Sequence, residues 1–217
     1  GQTFLQGDAQ NASWAWIGNG HYTGFYFPSK QNITWEREKR KGTFKSMNPN
    51  AWSGEYTQDY LSLYIQHGTN PNTNGEAYEY AILPQVSNVN TVADYAANPD
   101  FEVLENYARI QAVHEKKLNI VAANFFNDSV EALEGYFSCN KKASVITREQ
   151  DGVLEVAVSD PTHNNQGKTR LNFEKGVRGV QSADQRVTVL NLNPLQIEVD
   201  VSGARGKSIS ARFALKQ

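Results

Sequence analysis

Three stretches near the C-terminus alternate with a period of two. Leu195, Ile197, Val199 and Val201 alternate with Gln196, Glu198, Asp200 and Ser202. Ile209, Ala211, Phe213 and Leu215 repeat the pattern against Ser208, Ser210 and Arg212, and Thr169, Leu171 and Phe173 do so against Lys168, Arg170 and Asn172. Successive side chains of a strand point to opposite faces, so each stretch buries one face and wets the other. Turn residues separate them: Asp151-Gly152, residues 164–167 and residues 203–206. Further strands are expected at 153–158 and 186–190, and upstream at 13–17, 22–27, 33–36, 60–66, 78–83 and 120–126. Only residues 90–97 read as helical, just before Asn98-Pro99, which stops a helix. Short antiparallel strands in series predict an all-β chain of antiparallel β-sandwich type.

Bulk properties narrow the class. The chain has 217 residues, enough for one large or two small domains with a real core. A net charge of −2 does not favour phosphate-backbone binding, so nucleic acid is not an expected partner. No apolar run reaches the length of a membrane span. The one cysteine, Cys139, allows neither an internal disulfide nor a thiolate cluster, and is read as a buried thiol. No signal peptide is visible, and the start Gly1-Gln2-Thr3 reads as a processed product or a piece of a longer chain.

Aromatic residues are unevenly distributed. Of 24, 15 precede position 81, and only Phe173 and Phe213 follow position 140. The shift suggests a wide, ring-rich sheet first and a smaller aliphatic sandwich second. The expected division is 1–128 and 129–217.

The segment 20–126 carries a series of short signatures: Gly24-Phe25-Tyr26-Phe27-Pro28, Arg40-Lys41-Gly42-Thr43-Phe44 followed by Asn48, and His67-Gly68 with Pro71. Tyr78-Glu79-Tyr80-Ala81-Ile82-Leu83-Pro84, Val103-Leu104-Glu105-Asn106 and Gln111-Ala112-Val113 follow. In this order and spacing they resemble family 8 polysaccharide lyases, the hyaluronate, chondroitin and xanthan lyases. The resemblance implies a parent with an N-terminal α-helical toroid, a large central β-sandwich and a small C-terminal β-sandwich. This chain is similar to the end of the central sandwich (part of a supersandwich) plus the C-terminal one. The family's catalytic Asn, His, Tyr and Arg belong to the toroid, and none maps onto a motif here. The implied reaction is β-elimination on an acidic polysaccharide: a base takes the C5 proton of a uronate, and the 4-linked oxygen leaves. Neutralising the carboxylate acidifies that proton, and no cofactor is needed. The implied location is secreted or periplasmic.

The densest charge cluster is Trp35-Glu36-Arg37-Glu38-Lys39-Arg40-Lys41, with Lys45 nearby. On a strand, Trp35, Arg37 and Lys39 share one face, and Glu36, Glu38 and Arg40 the other. A planar guanidinium binds a carboxylate or sulfate through two parallel hydrogen bonds. Arg37, Arg40 and Lys41 are therefore candidate substrate contacts, against the plain reading of a solvated strand edge. Trp52, in a polar loop, is a candidate sugar platform, whereas Trp14 and Trp16 are expected in the core. The four histidines, His21, His67, His114 and His163, show no metal-ligand spacing, and His67 is read as a loop-bonding residue. No catalytic residue and no metal ligand is assigned.

The expected function is scaffold and substrate-cleft wall of a lyase acting on hyaluronan, chondroitin sulfate or xanthan, with the α-toroid as partner and no catalytic base in this chain. The alternative is a stand-alone carbohydrate-binding or structural β-sandwich protein. A sandwich cut from a larger sheet exposes an edge at residues 1–12, where disorder or edge-to-edge dimerisation is expected.

Overall fold

The structure is a computed structural model that describes residues 5–18, 22–71 and 77–216. His21 and residues 1–4 of the expected edge lie outside the described residues. The chain divides into two compact units, Gly1–Asn98 and Pro99–Gln217.

The first unit is built on a long hairpin. Strand β1 (Leu5–Gly18) pairs antiparallel with β2 (Tyr22–Thr43), which pairs in turn with β3 (Glu55–Ile65) and, over its first residues, with β4 (Ala81–Val86). Two short strands expected at 22–27 and 33–36 are one strand of 22 residues. It runs through Pro28 because residues 27–30 have no ladder partner: β1 pairs resume at Gln31, β3 begins at Ile33 and β4 stops at Tyr26. A residue without an N–H is tolerated in such a gap. Residues 5–12 of the expected edge are paired to β2, which leaves β1 as an edge strand.

Helix α1 (Val89–Ala97) forms where the sequence predicts it. Asn88 caps it, its side chain accepting the Thr91 N–H. Its Val92 is fully buried over Gly24, where an added Cβ would sit 2.6 Å from the Val92 side chain. Tyr95 meets Tyr26 edge-on. The helix thus covers the Gly24–Tyr26 face of the sheet. Trp14 and Trp16 do not share the expected burial: Trp14 is half-buried, while Trp16 is exposed and packs on Tyr22 with ring centres 4.6 Å apart.

The second unit is a closed sandwich. One sheet has seven strands in the order β13-β16-β11-β10-β7-β6-β5: Val177–Ala183, Ile209–Leu215, Val153–Ser159, Ala143–Gln150, Ile120–Phe125, Ile110–Glu115 and Phe101–Asn106. The other has five, in the order β14-β15-β12-β9-β8: Val187–Leu192, Leu195–Asp200, Lys168–Phe173, Phe137–Cys139 and Glu131–Leu133. Their inner faces share one core, with Val145, Val156 and Phe213 from the first sheet and Phe137, Leu171 and Ile197 from the second. The alternating stretches of the sequence are β12, β15 and β16, with their apolar sets inward. Cys139 is 1 % exposed in this core, and burial pushes its thiol up to about 11.

The expected division at 128/129 is corrected to 98/99. A boundary at 128 would cut the seven-stranded sheet, because β7 pairs with β10 from Ile120↔Arg148 to Phe125↔Ala143. Strands β5 to β7 thus belong with the C-terminal sandwich. The aromatic gradient misled because it follows the ring-rich first unit and its tyrosines rather than a hydrogen-bonded seam.

Candidate functional site

The β2–β3 hairpin projects a basic segment whose two faces separate as the period-two rule requires. Cross-strand pairs place Trp35 beside Leu63, Arg37 beside Leu61, Lys39 beside Asp59 and Lys41 beside Thr57 on one face. Glu36, Glu38 and Arg40 lie on the other, beside Ser62, Tyr60 and Gln58. Register thus sets Arg37 and Lys41 apart from Arg40.

Their electrostatic situations differ. The Arg40 guanidinium is held by Glu38 at 2.5 Å and lies 4.8 Å over the Tyr60 ring. The hydrogen bond that it donates to the Glu38 carboxylate is the main reason that its pKa is raised. Lys41 pairs with Glu55 at 3.1 Å and Lys39 with Asp59 at 3.0 Å, both exposed. Arg37 is exposed and, among the described residues, has neither a hydrogen bond nor an ion pair. It is the predicted contact best placed to receive an incoming anion, because no carboxylate has to be displaced first.

The hairpin tip holds Trp52. Residues Phe44–Ser46 form a 3-10 turn in which the Thr43 side chain accepts the Ser46 N–H and the Ser46 hydroxyl donates to the Thr43 carbonyl. The Asn48 N–H donates to the Phe44 carbonyl, and the Ala51 N–H to the Asn48 carbonyl. These bonds hold three exposed rings together: Trp52 is 62 % exposed, Phe44 52 % and Tyr56 45 %. Ring centres lie 5.1 Å apart for Trp52–Tyr56 and 5.4 Å for Phe44–Tyr56. Trp52 lies over Gly54, where any Cβ would meet the indole at 1.8 Å. A fixed, wet aromatic cluster of this kind suits the C–H face of a sugar ring. Sequence reasoning singled out Trp52, and the structure groups with it Phe44 and Tyr56, which that reasoning did not. Their signal was the spacing Trp52-x-Gly54-x-Tyr56, which brings rings together only when the tip turns as it does.

Below the tip, the Arg37 face becomes apolar. A groove of about 310 Å³ runs past Ile17, Ile33, Trp35, Leu61 and Leu63, and another of about 460 Å³ past Phe25, Ile65, Tyr78, Tyr80 and Ile82. No helix covers this face as α1 covers the other.

Three of the four histidines, His67, His114 and His163, lie among the described residues. His67 follows β3 near Tyr78, with ring centres 6.1 Å apart. His114 is bonded at both nitrogens, to Glu102 and Asn119, each at 3.1 Å. His163 sits in a turn at φ 61°. Among the described residues no three His, Cys, Asp or Glu gather as a metal cage. Among the described residues no helix is long and apolar enough to cross a membrane.

Comparison with known proteins places these features. Residues 2–96 match the super-sandwich domain of polysaccharide lyase family 8, and residues 102–169 match the C-terminal beta-sandwich domain of the same family. A xanthan lyase from Bacillus sp. (strain GL1) is 40 % identical over 91 % of this chain and 21 % of its own length. Hyaluronate lyase HylB of Enterococcus faecalis is 31 % identical over 87 % of this chain and 19 % of its own length. Among solved structures, Paenibacillus xanthan lyase superposes with a TM-score of 0.91 at 33 % identity, over 98 % of this chain and 21 % of that one. A chondroitin AC lyase of Streptomyces coelicolor does so with 0.83 at 27 % identity, over 98 % of this chain and 27 % of that one. The chain spans about a fifth of the length of the curated relatives it matches.

Proposed function

The chain belongs to polysaccharide lyase family 8, and from that premise we propose that it works as scaffold and as one wall of the substrate cleft in a lyase that cleaves an acidic polysaccharide by β-elimination. The observation that carries this reading is the ordered match of the first unit to the super-sandwich and of the second to the C-terminal sandwich. The polymer is of the hyaluronan, chondroitin sulfate or xanthan type, as for the lyases it is similar to. Base and acid come from the helical toroid of the whole enzyme. Further β-structure of the sandwich covers the apolar grooves at Leu61 and Leu63, since apolar area of that extent is costly to leave in water. Such an enzyme meets its polymer outside the cytoplasm, secreted or in the periplasm.

Within the wall, Arg37 supplies the charge and the tip rings the stacking surface. Arg37 presents an uncommitted fork to a uronate or sulfate, and Trp52 with Tyr56 and Phe44 receives a pyranose face. Arg40 and Lys41 contribute less, because each already holds a carboxylate.

The test is retention of the full chain on immobilised acidic polysaccharide, with product absorbance followed alongside. Retention is expected to weaken about tenfold in Arg37→Ala and in Trp52→Ala, the loss of one charge-assisted contact or one stacked ring. No unsaturated uronate is expected. Release of that product by this chain, or unchanged retention in both variants, would overturn the assignment.

A further inference from the structure

A further cluster of charged and apolar side chains lies on the second unit, on the outer face of its seven-stranded sheet. Cross-strand register aligns Arg148, Glu155 and Arg212 in one row across β10, β11 and β16, and Ile146, Ala157 and Ser210 in the next. Between the rows runs an open groove of about 370 Å³. Its depth comes from sequence: Ala157 and Ser210 are short, whereas Ile146, Arg148 and Arg212 are long and form the sides.

The charges in the first row do not balance. One carboxylate stands between two guanidinium groups. Glu155 takes Arg212 at 3.2 Å and no bond to Arg148 accompanies it. Among the described residues Arg148 has neither a hydrogen bond nor an ion pair, and its Nε is shielded from solvent with no acceptor. A shielded donor on an unpaired cation costs stability unless something compensates it. By contrast Arg178, on β13 of the same sheet, donates its Nε–H to the Leu215 carbonyl.

We propose that this groove binds a carboxylate-bearing saccharide unit, with the carboxylate on Arg148. The groove carries each element such a ligand needs. Arg148 matches the carboxylate, Ile146 and Ala157 offer an apolar surface to ring C–H groups, and Glu155 and Ser210 exchange hydrogen bonds with hydroxyls. The volume falls in the range of small-molecule pockets. The choice of an acidic saccharide rests on the lyase reading. The site itself rests on the orphaned guanidinium and the groove, and it is separate from Arg37 and Trp52 of the first unit. It would hold a polymer strand without acting on it, as an accessory contact.

The experiment is amide-shift mapping of the full chain with a glucuronate-containing hexasaccharide and with its carboxyl-reduced neutral analogue. It is run on Trp52→Ala, so that the hairpin tip does not mask the second site. Amides of Ile146, Ala157 and Ser210 are expected to move with the acidic ligand and to stay still with the neutral one. Adding Arg148→Ala should weaken this binding about tenfold or more, the loss of a charge-assisted contact. Ala157→Leu, which fills the groove and leaves Arg148 in place, should weaken it similarly and guards against misfolding of the arginine variant. Shifts confined to residues 35–65, equal response to the neutral analogue, or unchanged binding in Ala157→Leu would each overturn the site. If the acidic ligand moves no amide in either unit, the lyase reading falls with it. Weakened response at residues 35–65, with the groove still responding, is the expected result in this variant and supports the groove as a second site.

Discussion

The two units solve the problem of a β-sheet's apolar face in opposite ways. In the second, two sheets close on each other and enclose a core that includes Phe137, Leu171, Leu195 and Phe213. In the first, a helix covers one face, and buried hydrophobics among the described residues are few: Tyr26, Phe27, Ile33, Val86 and Val92. Leu61, Trp35 and Ile82 on the remaining face stay exposed. The alternation of strand residues is similar in both. What differs is whether a second layer is at hand, which shows that an amphipathic strand specifies a need for cover rather than the cover itself.

The sharpest way to break this comparison is by truncation. Phe213→Ala, at a side chain with no exposure, should destabilise the second unit by about 3–5 kcal/mol. Leu63→Ala, on the open groove of the first unit, should cost less than about 1 kcal/mol, because little packing is lost. Urea unfolding of both variants measures the gap, and equal costs would mean that the open face is covered in solution. Native-state hydrogen exchange gives the next largest contrast. Amides of Val156 and Leu171 should exchange at least about a hundredfold more slowly than those of Leu61 and Leu63, since protection follows the free energy of opening.

Asp160 refines the picture inside the second unit. It is buried in the turn after β11. Burial raises its pKa, but donors from Thr162 and Asn165 outweigh that and hold the carboxyl below the ordinary range. A depressed folded pKa adds stability above the unfolded value, and that stability is lost as pH falls through the folded value. Asp160→Asn should therefore cost about 1–3 kcal/mol near neutrality, with the difference from the native chain shrinking below about pH 4. The smallest effect is expected at Arg40→Ala on the exposed hairpin. Its solvent-exposed pair with Glu38 should contribute almost nothing, which thermal unfolding at two salt concentrations would register as a near-zero shift.

Much of the fold was legible from local pattern. The strands β12, β15 and β16 and the helix α1 lie where periodicity and capping residues put them, because both are set within a few residues of chain. Strands β8 and β9, with three residues each, gave no periodic signal and exist through pairing, β9 to β12 and β8 to β9. The unit boundary was misplaced because a boundary is a statement about which strands share hydrogen bonds. The affiliation of β7 with β10 links residues about twenty positions apart. At the candidate site, the division of the basic segment into two faces was legible from alternation alone. Which cation lacks a partner was not, because Glu55 and Asp59 reach Lys41 and Lys39 only across the ladder.

By itself the sequence determined the element types and the direction of each strand's apolar set, since both follow from the geometry of the residue and its immediate neighbours. Its short signatures also determined the family. Tertiary structure decided what depends on register between distant segments. Such register decided that Arg37 stands unpaired while Lys39 and Lys41 are taken by Asp59 and Glu55, that Arg40 lies over Tyr60, and that Trp52, Tyr56 and Phe44 meet at one tip. It likewise set Arg148 beside a carboxylate already taken by Arg212. Charge pairing and ring contact are short-ranged, so they become fixed only when pairing brings remote residues within a few ångströms.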